Sequence, residues 1–133
     1  MAKRVFHMEG VLPSSKCYSW AVRITGGTLI FISGISAMDP GGTVLARGDI
    51  EGQTRICLEL LGKVLREAGG SFDDVVKLNF HVVDATRHRN LINAIRTEYF
   101  KNREALPASA MAGVQNLPVE GQLIEVDAIA ALQ

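Results

Sequence analysis

The chain has 133 residues, 47% of them hydrophobic and 21% charged, a composition that fits one compact domain with a buried core and leaves no room for a second. Fourteen basic residues balance fourteen acidic ones, and no Lys/Arg run interrupts that balance, so no nucleic-acid partner and no membrane partner is expected. The N-terminus MAKRVFHMEG carries no apolar core of a targeting segment, and no stretch approaches the ~18 apolar residues of a spanning helix, which reads as a cytoplasmic protein.

Lys3 to Met8 is a first strand candidate, and Tyr18 to Thr25 is a second, rich in β-branched and aromatic residues. Gly26-Gly27 then suggests a hairpin turn into a third, Thr28 to Ser33. Residues 34–48, rich in glycine, read as an ordered loop leading to a first helix that Asp49 caps and Gly69-Gly70 stops. Within that helix Ile56, Leu60 and Val64, flanked by Cys57, Leu61 and Ala68, trace one apolar face. Alternation predicts a fourth strand, with Val76, Leu78, Phe80 and Val82 on one side and Lys77, Asn79, His81 and Val83 on the other. A second helix is expected from about Arg87 to Lys101, burying Ile92, Ile95 and Tyr99. Pro107 opens a fifth strand, and a turn over 117–121 leads into a last one, Gln122 to Ala130.

The order β-β-β-α-β-α-β-β predicts an α+β fold with both helices on one face of a six-stranded sheet. The other face carries Val83, Leu123 and Ile129 among polar residues, with no helix left to cover it, so a homo-oligomer is expected.

Glu125 and Asp127 lie two apart on a strand and therefore share a face; spacing alone favours solvated or salt-bridged carboxylates over an acid/base pair. His7, His81 and His88 fall on different elements at no metal-ligand spacing, so no metal site is predicted, and His81 reads as an interface residue. Cys17 and Cys57 lack CxxC or Cys/His spacing and read as reduced thiols. Tyr18 and Trp20 share a strand face, as ordinary packing would require, and Arg87 and Arg89 open the second helix where cations oppose its dipole.

Taken in order, Tyr18-Ser19-Trp20-Ala21-Val22, Phe31-Ile32-Ser33-Gly34 with Met38-Asp39-Pro40, Gly48 to Arg55, Asp73 to Lys77, Leu106-Pro107-Ala108, and Leu117-Pro118 with Ile124 to Ala130 resemble the signature of the reactive intermediate/imine deaminase (Rid, YjgF-like) family, also called endoribonuclease L-PSP. The likeness spans nearly the whole chain. It implies a chorismate-mutase-like fold assembled as a homotrimer with ligand clefts between subunits, and hydrolysis of small imine or enamine metabolites to ammonia and a carbonyl without any cofactor. It implies also that Glu125 is the acid/base group and that Tyr18, Ser33, Gly34 and Asn93 line the cleft.

In the deaminating members an arginine just after the Pro-Ala step holds the substrate carboxylate. Here Ser109 stands at that position, and losing a charge-assisted fork removes roughly 2–4 kcal/mol of carboxylate binding. The usual 2-imino acids are therefore expected to be poor substrates, in a pocket that Met111 makes more apolar and that Arg89 could re-enter from the second helix. Two functions are open at this point: a hydrolase of a small imine or enamine, and a non-catalytic trimer that binds a small molecule.

Overall fold

The computed structural model describes residues 2–133. Six strands and two helices follow in the expected order: β1 (Ala2–Phe6), β2 (Ala21–Thr25), β3 (Thr28–Ser36), α1 (Ile50–Glu67), β4 (Val75–Val83), α2 (Ala85–Tyr99), β5 (Ala108–Val114) and β6 (Ile124–Leu132). Four strands form one sheet in the order β3-β6-β4-β5, and β1 pairs with β2 in a second, two-stranded sheet. A parallel bridge from Ser19, just before β2, to Ala108 of β5 and a hydrogen bond from Lys3 Nζ of β1 to Val75 O of β4 at 2.8 Å join the two.

The pairing corrects the expected hairpin. Gly26 and Gly27 do turn the chain, at φ 72° and 89°, but β3 runs antiparallel to β6 rather than along β2. β6 offers it a strand whose every second side chain (Ile124, Val126, Ala128, Ala130) is at most 2% exposed, which fixes register strongly. β2 also begins later than expected, because Ser19 N–H donates to Pro107 O at 2.9 Å and Trp20 N–H to Phe6 O at 2.8 Å before the ladder with β1 starts.

Asp49 caps α1, its carboxylate accepting from Gly52 N at 2.9 Å, and Gly69 (φ 90°) follows the helix end. The buried stripe, however, is Thr54, Cys57, Leu58, Leu61 and Leu65, one residue round from the expected Ile56-Leu60-Val64 face, and Val64 is 40% exposed. Both stripes are apolar in sequence; Gly62, which a Cβ would bring to 3.0 Å from the Phe72 ring, lets the observed one seat closely.

Both helices pack on one face of the four-stranded sheet, and a single core of buried residues joins them to β3, β4 and β6. On β4 a register shift between Val75 and Lys77 buries Val75 where alternation had placed Val76. Among the described residues no helix is long and apolar enough to cross a membrane.

Candidate functional site

The opposite, uncovered face of the four-stranded sheet carries a groove of about 480 Å³ lined by Phe31, Ser33, Gly34, His81, Glu125 and Asp127, among others. Strand parity builds it. Because Ile124, Val126 and Ala128 point into the core, Glu125, Asp127 and Ile129 must point out. In register, Glu125 sits between Ser36 of β3 and His81 of β4, and Asp127 lies beside Asn79.

The two carboxylates are used differently. Asp127 accepts from Asn79 Nδ2 at 3.0 Å and meets His81 Nε2 at 2.8 Å, so both its oxygens are engaged. Glu125 makes no side-chain hydrogen bond among the described residues. What holds it is Gly34: a bulge between Ile32 and Ile35 takes Ser33 and Gly34 off the ladder, and a Cβ at position 34 would overlap Glu125 Oε1. The buried Gln53 of α1 fixes the start of β6, donating to Gly121 O at 2.9 Å and accepting from Leu123 N at 2.8 Å. Sequence reading missed it, because a glutamine inside an apolar stripe gives no sign of which turn it clamps.

Gly34→Ala is expected to displace the Glu125 carboxylate while changing stability by no more than about 0.5 kcal/mol, since only the flexible end of a side chain must move. A crystal structure of the variant with Glu125 unmoved would contradict this.

Tyr18, Arg89, Asn93, Ser109 and Met111 lie elsewhere, around a second pocket of about 250 Å³ that Trp20, Ala110 and Arg96 complete. Ser109 and Met111 pair in parallel register with the core-facing Leu78 and Phe80, so their side chains point to the helix side of the sheet. Glu125 points to the other side. Within one chain the predicted site residues therefore fall into two half-sites on opposite faces, with Ser33, Gly34 and Glu125 in one and the remaining five in the other.

Arg96 is the residue of this second pocket that sequence reading missed. It is 2% exposed, on the same stripe as Ile92 and Ile95, and its guanidinium lies 4.8 Å over the Phe80 ring and 6.0 Å from that of Tyr18. Burial lowers its pKa to about 10, which still leaves it charged at neutral pH. Arg89, the arginine singled out from sequence, is exposed at the rim. Its i, i+4, i+7 spacing to Asn93 and Arg96 puts all three on one helix face, a signal available in the sequence.

Cys57 is no nucleophile. Its thiol is fully buried, 3.5 Å from Ile35 O, and burial pushes its pKa up to about 12. Among the described residues no group of three or more His, Cys, Asp or Glu side chains gathers to hold a metal ion.

The family model for endoribonuclease L-PSP matches residues 10–132. A RutC family protein of Pyrococcus abyssi is 35% identical over 130 residues, covering 98% of each chain. Human 2-iminobutanoate/2-iminopropanoate deaminase is 35% identical over 113 residues, 85% of this chain and 78% of the relative. Among solved structures, YyfB of Yersinia pestis, a Rid-family protein of unknown function, superposes with a TM-score of 0.90 at 32% identity, over 99% of this chain and 100% of that one. The α+β architecture, the order of sequence blocks and these relatives agree: the chain belongs to the endoribonuclease L-PSP family, the Rid/YjgF proteins.

Proposed function

We propose that this protein is a cofactor-free hydrolase of a small imine or enamine, working as a homotrimer whose clefts join the Glu125 groove of one copy to the Tyr18–Ser109 pocket of the next. The observation that carries the reading is the free carboxylate of Glu125, seated against the Gly34 backbone in an open groove while its neighbour Asp127 is consumed by His81 and Asn79. The human relative's name supplies the reaction class. Water adds to the C=N carbon as Glu125 takes one of its protons and returns it to nitrogen, and as the C=O bond then forms the hydroxyl proton of the adduct passes through the same carboxylate to that nitrogen, which leaves as ammonia. Ser33 and Gly34, off the ladder, leave backbone polar groups beside that carboxylate for the ligand.

Half-sites on opposite faces of one sheet meet only if a second copy brings its groove to the first copy's pocket. The uncovered face also exposes Phe31 at 74%, beside Ile129 in the same register, an apolar surface suited to burial against another copy. Light scattering is expected to give about three times the 14.4 kDa chain mass, and Phe31→Asp to lower it toward that of the single chain. A wild-type monomer at micromolar concentration would refute the assembly.

The activity is tested by generating imines in situ, from 2-aminobutanoate with an amino-acid oxidase and from propylamine with an amine oxidase, and trapping what survives with semicarbazide. Faster loss of either imine than in buffer supports the hydrolase. Loss of neither refutes it and leaves the alternative, a non-catalytic trimer that binds a small molecule.

A further inference from the structure

The second pocket holds a charge that no carboxylate among the described residues neutralises. Arg96 makes no ion pair and no side-chain hydrogen bond among the described residues, and its Nε and Nη2 are wholly covered without a partner, which leaves Nη1 as the nitrogen facing the pocket. A buried charge without a counter-ion is costly, and the faces of Phe80 and Tyr18 recover only part of that cost. The Ser109 hydroxyl in the same pocket is likewise buried and without a partner. Two arginines line the pocket and no Asp or Glu does. Asn93 adds one more polar wall, and the others, Tyr18, Trp20, Ala110 and Met111, are aromatic or apolar.

We infer that Arg96 is the anion-recognition residue of this pocket and that its ligand is a small monocarboxylate with a short apolar or planar body. Nη1 offers a charged donor to one carboxylate oxygen, and Ser109 and Asn93 add neutral donors beside it for the other. A dianion would call for a second buried cation, and Arg89 is exposed. The roughly 250 Å³ of space suits a molecule of a few heavy atoms beyond the carboxylate. This rests on the reading above and deepens it, by naming the charge its substrate carries. It also reverses the expectation drawn from Ser109 alone: the position on β5 is neutral, and the cation comes from α2.

Binding, which needs no turnover, provides the test. Calorimetric titration with 2-oxobutanoate, its neutral counterpart 2-oxobutanamide and inorganic phosphate should show the carboxylate bound at least tenfold more tightly than the amide, with phosphate weaker. Arg96→Met should lose at least tenfold in 2-oxobutanoate affinity and erase the preference, without lowering the melting temperature, because an unpaired buried charge is removed. The Arg96 Nε–H resonance of the wild-type protein should shift on titration with 2-oxobutanoate and not with the amide, a readout that stands even if the variant fails to fold. Overturning results are equal affinity for acid and amide, tighter phosphate, Arg96→Met within threefold of wild type, an unmoved Nε–H resonance, or loss of the preference in Arg89→Gln instead. If binding behaves as expected while neither imine is hydrolysed, the anion site stands and the hydrolase reading falls.

Discussion

Replacing Glu125 by Gln should lower turnover of the in situ imine by about two to four orders of magnitude, the usual contribution of a positioned acid/base, while leaving assembly and melting temperature nearly unchanged. The structure separates these two consequences. Glu125 has no hydrogen-bond partner among the described residues, so the amide leaves none orphaned, and it keeps the shape that fits against Gly34. Asp127 provides the contrast: Asp127→Asn weakens its bonds to His81 and Asn79 and should cost stability by about 1–3 kcal/mol with a smaller effect on rate. Rates measured beside thermal melts of both variants check the pair. A Glu125→Gln protein at the wild-type rate would place the chemistry elsewhere.

That Glu125 and Asp127 share the uncovered face was legible from parity alone, since the alternating Ile124, Val126 and Ala128 admit only one orientation of β6. Their division of labour was not, because it depends on His81 and Asn79 arriving from β4, 46 to 48 residues away. The boundaries of α1 followed from Asp49 and Gly69, local features with local causes, whereas α2 begins and ends two residues earlier than the expected Arg87 to Lys101. Which face of α1 is buried did not, as two neighbouring stripes are both apolar and the partners that meet the buried one, Phe72 against Gly62 among them, lie elsewhere in the chain. The Gly26-Gly27 turn was read correctly and the strand pairing wrongly for a similar reason: a turn is set by φ, whereas pairing is set by the best available partner, here β6. The candidate site residues named from the sequence lie around two pockets on opposite faces of one sheet, a separation that no order of motifs along the chain can express. Arg96 was overlooked because an arginine in a helix is exposed by default; its place between Ile92, Ile95 and Tyr99 on the buried stripe was the clue.

Phe80→Ala is expected to be the most damaging core substitution and to expose the link between the core and the second pocket. Phe80 is 1% exposed at the centre of β4, flanked by Val126 of β6 and Met111 of β5, and removing its ring should cost about 3–5 kcal/mol through lost burial and the cavity left behind. Against a typical stability of about 5–15 kcal/mol this should lower the melting temperature by on the order of 10–20 °C. The ring is also the floor under the Arg96 guanidinium, 4.8 Å away, so its loss leaves a buried cation over a void and adds to the cost. A double-mutant cycle separates the two contributions. If the ring stabilises the cation, Phe80→Ala should cost less in an Arg96→Met background than in wild type, by about 0.5–2 kcal/mol in denaturant melts. Additive costs would show that Phe80 acts as packing alone and that the charge of Arg96 is indifferent to the ring beneath it.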